Sequence, residues 1–386
     1  MRIKGAKVYT DCFRFEDVDV DITGEKISGI SGRNGAGTDS ENQDGEIIDA
    51  SGLYAIPGLV DVHLHGAVAH DFCDAKEESL RAITEYEARS GVLALCPTTM
   101  SLSVDRVDEI CDVTQKFAAS TENKDGCADI IGMNLEGPFI NPSKKGAQNG
   151  EFIRPASDEA LNTLIDKRAD FIKLLDLAPE VEGNMEAIKD YSSKVNISIA
   201  HTACDYDTAL EAFGNGANHV THLFNAMNGI NHRMPGPILA ALDEDAYAEL
   251  ITDGVHIHPA VVRMAFTLFG PDRIVIISDS MEATGMEDGQ YELGGQKVTK
   301  RGKHATLTDD PSSLAGSVSN QFDCMKEAVE MGVPIEEAIR AATYNPAASI
   351  GVTDSYGLIA KDRFANILLV DDNLQIKKII HKGRII

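Results

Sequence analysis

A few side chains stand out by type and spacing. His63 and His65 lie at i, i+2 behind the run Ile56-Pro57-Gly58-Leu59-Val60-Asp61-Val62. On an extended strand two such side chains point to one side, so both rings can meet one metal ion. His201 follows Val195–Ala200, and His222 follows His219-Val220-Thr221. A lone histidine at a strand end is more often structural. Two at equivalent ends of consecutive strands, beside an HxH pair, point to a metal. Glu136 closes Asn134-Leu135-Glu136-Gly137-Pro138. A carboxylate there is costly to bury without a cation or a donor, and its two oxygens can bridge two ions. Asp279 closes Val275-Ile276-Ile277-Ser278-Asp279. A metal lowers the pKa of bound water towards ~7, and a carboxylate beside it can take the proton and deliver it to a leaving amine.

These types together imply metal-assisted hydrolysis. No GxSxG elbow is present and no cysteine has a histidine partner in its sequence context, so covalent catalysis is disfavoured. The seven cysteines form no CxxC pair. That argues against a thiolate zinc site or a disulfide scaffold, and it fits a reducing, cytoplasmic setting. A nitrogen/oxygen site remains, one that suits zinc or iron and accepts manganese or cobalt.

Positioning such a ring needs strand ends that converge. Short apolar runs recur at Ile56–Val62, Val92–Cys96, Ile130–Leu135, Phe171–Leu177, Val195–Ile199, Asn218–Thr221, Glu249–Ile251 and Arg273–Ile277, each followed by polar residues. Helical patterns lie between them. Glu77–Ser90 stops at Gly91, Asp205–Phe213 at Gly214, and Pro259–Phe269 at Gly270. Phe322, Met325 and Val329 mark a later amphipathic face, read as core. The alternation predicts an α/β chain with a (β/α)8 TIM-like barrel, whose C-terminal strand ends gather around one axis. A doubly wound open sheet is the alternative.

The two ends of the chain read as β. Val18, Val20 and Ile22 alternate with acidic residues, and Ile367-Leu368-Leu369-Val370 is followed by a turn at Asp371-Asp372-Asn373 and a second run to Ile380. They predict a small, discontinuous β-sandwich domain, residues 1–55 plus 353–386, around a barrel at 56–352. Gly35-Ala36-Gly37, within the stretch Gly29–Gly45, is no phosphate loop, because no helical pattern follows it.

The chain has 386 residues, 43% hydrophobic and 25% charged, which are globular values. Its 61 acidic against 35 basic residues give a formal charge of -26. No basic stripe for nucleic acid is present. No apolar run approaches the ~20 residues of a membrane span, and the N-terminus carries no secretory signal.

The residues match a known pattern nearly end to end. Pro57-Gly58-Leu59-Val60-Asp61-Val62-His63-Leu64-His65-Gly66, Leu135-Glu136-Gly137-Pro138-Phe139-Ile140, Ala200-His201-Thr202, Thr221-His222-Leu223-Phe224-Asn225-Ala226-Met227, Asp253-Gly254-Val255-His256, Ser278-Asp279 and Leu314-Ala315-Gly316-Ser317 carry it. The chain resembles the amidohydrolase superfamily, and the Leu-Glu-Gly-Pro and Thr-His-Leu-Phe-Asn-Ala-Met segments resemble its sugar-phosphate deacetylases in particular. The resemblance implies removal of acetate from N-acetyl-D-glucosamine 6-phosphate. It implies Glu136, His201 and His222 as constant metal ligands, His63 and His65 as the additional pair of two-metal members, and Asp279 as acid/base. One or two divalent ions per chain follow.

It further implies substrate contacts at Ala147, Gln148, Asn225, Ala226, Arg233, Asp253, His256, Leu314, Ala315 and Gly316. Some relatives carry histidine where this chain has Gln148; two metals could polarise the carbonyl instead. Arg233 and His256 are donors for the phosphate in an otherwise acidic protein, while His219 and His258 are read as structural. Family members are commonly homodimers in which such an arginine reaches across the interface. The implied partner is a small sugar phosphate, without nucleic acid or membrane. Competing expectations are the galactosamine epimer as substrate, another amidohydrolase such as a dihydroorotase or deaminase, and a metal-free assembly protein. The last should lack part of the ligand set, which is complete here.

Overall fold

The computed structural model describes residues 1–32, 46–120, 125–168 and 170–386. Gly35-Ala36-Gly37 and most of Gly29–Gly45 lie outside the described residues.

Each apolar run of the middle contributes a strand: Leu59–Leu64, Val92–Thr99, Met133–Glu136, Ile172–Leu177, Asn196–Ile199, Ala217–Val220, Tyr247–Ile251 and Ile274–Ile277. Chain neighbours pair in parallel from the first to the eighth. The run at Ile130–Leu135 divides into Asp129–Ile130 and Met133–Glu136. Parallel strands covered on both faces need near-continuous apolar sequence, and alternate residues sort accordingly. Ala94, Cys96, Leu174, Val275 and Ile277 share one apolar cluster, while Leu95, Leu175, Ile274 and Ile276 belong to the larger cluster that includes the helices.

The first and eighth strands meet just past their ends. Asp279 N donates to His63 O at 2.9 Å and His65 N to Ser280 O at 2.8 Å. This near-closure of the barrel sets Asp279 beside the HxH pair although more than half the chain separates them.

The helices follow their end signals. Glu77–Arg89 stops before Gly91, and Pro259–Phe269 before Gly270. Asp205 caps Tyr206–Gly214 by accepting from Thr208 N at 2.9 Å, a contact whose removal typically costs ~1 kcal/mol. His258 caps Pro259–Phe269, its Nδ1 accepting from Ala260 N at 3.2 Å.

Both chain ends enter one separate sheet. Ile367–Val370 runs antiparallel to Tyr54–Pro57, with Ile367 opposite Pro57 and Val370 opposite Tyr54. The long strand Phe15–Thr23 pairs with Lys7–Tyr9 through its first half and with Arg2–Lys4 through its second. The sheet therefore curls over, and Ile3, Val8, Val20, Ala55, Ile367 and Leu369 share one core. A further antiparallel sheet of Gly289–Leu293, Gln296–Arg301 and His304–Leu307 follows the eighth barrel strand.

Candidate metal centre

Residues 63, 65, 136, 201, 222 and 279 all sit at or just beyond C-terminal strand ends, and all are buried. His201, His222 and Asp279 have positive φ, at 44°, 31° and 49°. Non-glycine residues adopt this region at a cost and concentrate at functional sites. The turn takes the backbone out of the strand at each of the three positions.

The nitrogens converge on carboxylates. His201 Nε2 and His222 Nε2 each lie 3.0 Å from Glu136 Oε1 and 3.2 Å from each other. His65 Nε2 lies 3.1 Å from Asp279 Oδ1 and 3.4 Å from Glu136 Oε2. His63 Nε2 is 3.7 Å from Glu136 Oε1 and 3.8 Å from Asp279 Oδ1, and it is buried without a hydrogen-bond partner. Two ring nitrogens facing one another across a carboxylate, and a third left bare in the interior, are what a divalent cation would satisfy. Two groups have the right span: Glu136 with His201 and His222, and His63 with His65 and Asp279. A third, His63 with Glu136 and Asp176, overlaps both.

The rings are held from behind. His65 Nδ1 donates to Thr98 O at 3.2 Å and His201 Nδ1 to Lys144 O at 2.8 Å. His63 Nδ1 faces Glu249 Oε2 at 3.0 Å. Gln148 Nε2 donates to Glu136 Oε2 at 2.6 Å, while its Oε1 accepts from Ser101 N at 2.6 Å; the second bond fixes which end of the amide faces the ring.

Electrostatics follow from this packing. Burial acts to raise the Glu136 carboxyl, but hydrogen bonds with His201 and His222 and the charge of His63 bring it well below the usual carboxylate range. Asp279 is likewise raised by burial and lowered more strongly by its bond with His65 and the charges of His63 and His65, which leaves it ionised at neutral pH. His65 is depressed by burial yet ends raised to about 9, because Asp279 and Glu136 favour its cation. Buried His219 is lowered to about 3 by desolvation and stacks near Tyr247 with ring centroids 5.2 Å apart, a packing role.

Above the ring opens a cavity of about 290 Å³. Of the substrate-contact expectations, Ala147, Gln148, Asn225 and Ala226 line it. His256, Leu314 and Gly316 also line it. Asp253 stands behind His256, with Oδ2 2.8 Å from its Nδ1 and Oδ1 accepting from the main-chain N of Val255 and His256 at 2.9 Å each. Ala315 is buried, its N bonded to Ala305 O. Arg233 is outside the wall. It lies on an exposed loop, its own N bonded to Asn231 Oδ1 at 3.0 Å, and its guanidinium makes no hydrogen bond or ion pair among the described residues.

Sequence reading singled out neither Glu249 nor Asp176 as a site residue. Both are fully buried carboxylates on barrel strands. Leu293, Ser312 and Ser313 of the cavity wall were also missed.

A barrel with this ring at its strand ends defines a class. A model of the amidohydrolase family matches residues 54–386, and the chain belongs to that family. It is 32% identical over 333 residues to the N-acetylglucosamine-6-phosphate deacetylase of Bacillus subtilis (strain 168), covering 86% of this chain and 84% of that one. It is also 32% identical over 332 residues to the N-acetylgalactosamine-6-phosphate deacetylase of Escherichia coli O157:H7, covering 85% and 86%. Among solved structures, an aspartate-to-alanine mutant of N-acetyl-D-glucosamine-6-phosphate deacetylase from Mycobacterium smegmatis, in complex with N-acetyl-D-glucosamine-6-phosphate, aligns with a TM-score of 0.91 at 25% identity over 100% of this chain and 98% of that one. The N-acetylglucosamine-6-phosphate deacetylase from Pasteurella multocida aligns with a TM-score of 0.91 at 27% identity over 100% and 99%.

Proposed function

We propose that this enzyme hydrolyses the acetamide of N-acetyl-D-glucosamine 6-phosphate, releasing acetate and D-glucosamine 6-phosphate. The observation that carries the reading is the ionised, buried Asp279 at the floor of a cavity ringed by histidines and Glu136.

Glu136, His201 and His222 would hold one divalent ion, and His63 and His65 with Asp279 a second, on the donor spans above. Bound there, such an ion supplies Lewis acidity towards the acetyl oxygen and makes a water more acidic. Zinc or iron suits these donors best, with manganese or cobalt accepted. Asp279 takes the proton as the water oxygen bonds to the acetyl carbon. It then delivers that proton to the sugar nitrogen as the C–N bond breaks, and acetate and a free amine leave. Gln148 holds Glu136 in place from the cavity side.

At the other end of the substrate, His256 meets the phosphate. Burial acts against its cation, but the bond and charge of Asp253 outweigh this and raise its pKa. Arg233 supplies a second cation from its exposed loop, reaching the site of a partner in a homodimer. A cytoplasmic location belongs to the same reading: all seven cysteines are free, and among the described residues no helix is long and apolar enough to cross a membrane.

The Escherichia coli relative motivates a second reading, the galacto epimer as substrate. Acetate release measured on both 6-phosphates and on unphosphorylated N-acetylglucosamine separates them. The proposal expects the gluco phosphate to have the highest kcat/KM. A higher value for the galacto epimer would transfer the assignment, and no release from any of them would defeat it.

A further inference from the structure

The four ring histidines are not braced alike. His65 and His201 each bond a neutral main-chain carbonyl through Nδ1, and His222 Nδ1 is buried without a partner. His63 alone among them faces a carboxylate, Glu249 Oε2 at 3.0 Å. Glu249 lies on the strand Tyr247–Ile251, far in sequence from His63, and is 0% exposed. The same oxygen lies 3.4 Å from His222 N, while Oε1 has no hydrogen-bond partner among the described residues. A wholly buried carboxylate with half its bonding capacity unused is costly to keep in a fold.

We infer that Glu249 is a positioning residue that sets the affinity of the His63/His65 end of the site for its ion. The proposal rests on the two-ion reading above. With Glu249 accepting the Nδ1 proton, His63 is fixed in the tautomer whose Nε2 lone pair points at Glu136 and Asp279, where that nitrogen is bare. A carboxyl group bonded to Nδ1 also orients the ring and makes it a stronger ligand, as such groups behind metal-bound imidazoles generally do. The side-chain contact falls on one ligand set: Glu249 touches the ring of His63, but only the main chain of His222, and it touches neither His201 nor Glu136 among the hydrogen bonds of the described residues.

The test uses zinc alone as probe. Wild type, Glu249→Gln, His63→Ala and the double variant are equilibrated with chelator-buffered zinc, and ions per chain are counted by elemental analysis alongside thermal unfolding of each metal-free protein. Wild type should fill two sites. Glu249→Gln should keep one at wild-type affinity and weaken the other by roughly 10–100-fold, with metal-free stability little changed. Adding Glu249→Gln to His63→Ala should cost nothing more. If Glu249→Gln fails to fold, Glu249→Asp, which retains the carboxyl group but retracts it, should show a smaller loss at the same single site. Two sites filled as in wild type, equal weakening of both, or additive losses in the double variant would overturn the role of Glu249. A wild type that fills one site would overturn the two-ion reading and this proposal with it.

Discussion

At the floor of the cavity each ring side chain is held by another; Arg233, off the cavity wall, bonds Asn231 Oδ1 through its main-chain N, and its guanidinium has no hydrogen bond or ion pair among the described residues. The floor residues come from barrel strands whose parallel ladders fix their register, and near-closure through Asp279 N and His63 O locks the first strand end to the last. Preorganised charge of this kind needs no rearrangement when the reaction occurs. The outer groups come from loops, and of the two cationic candidates His256 lines the cavity, braced by Asp253, while Arg233 lies off its wall. On the proposed reading the floor does the chemistry and the outer groups the recognition, and the two should fail differently.

The largest effect belongs to the floor. Asp279→Asn should lower kcat by at least ~10²-fold, the scale of a positioned acid/base, with the fold and the ion at Glu136, His201 and His222 retained. Steady-state kinetics with elemental analysis check it, and near-normal turnover would take Asp279 out of the mechanism.

Among the outer groups the loss should depend on the phosphate. A charge-assisted bond is worth roughly 1.5–3 kcal/mol, so Arg233→Ala should lower kcat/KM for the phosphorylated sugar by roughly 10–100-fold and hardly touch unphosphorylated N-acetylglucosamine. Equal losses on both would place Arg233 in the scaffold and erase the contrast.

A smaller effect sharpens the outer set itself. His256 is raised above its ordinary ~6.5 by Asp253 despite burial. Its stabilising cation is therefore fully present below that value and is lost as pH rises through the raised one. KM for the phosphorylated substrate should climb over the same rise. Asp253→Asn should move the climb to lower pH by weakening the cation, a few-fold change at neutral pH read from KM against pH. An unchanged profile would separate the pair from phosphate binding.

The same contrast explains what was legible in the sequence. The HxH pair, Glu136, His201, His222 and Asp279 could be read because each ends an apolar run, and a barrel brings all such ends to one face. The helices were legible from their end signals, Gly91 and Gly270 among them, while Tyr206–Gly214 runs one residue further than expected and includes Gly214. Glu249 was not, since it opens its run and acquires meaning only when closure carries it to His63, 186 positions away. The sheet spanning Gly289–Leu307 was missed although Gly294-Gly295 sits at its first turn, because its strands carry few apolar residues. The position of Arg233 off the cavity wall is a property of loop conformation, which residue type does not encode.

The central claim, that the histidine–carboxylate ring is where the acetamide is cleaved, is tested most directly by removing the ions and returning them. Acetate release from N-acetyl-D-glucosamine 6-phosphate is followed in protein stripped by a chelator and then titrated with a divalent metal, with bound ions counted in each sample. The account predicts release near background in the stripped protein and recovery in proportion to the ions bound. Wild-type turnover by metal-free protein, or no acetate from protein whose ring is filled, would contradict it.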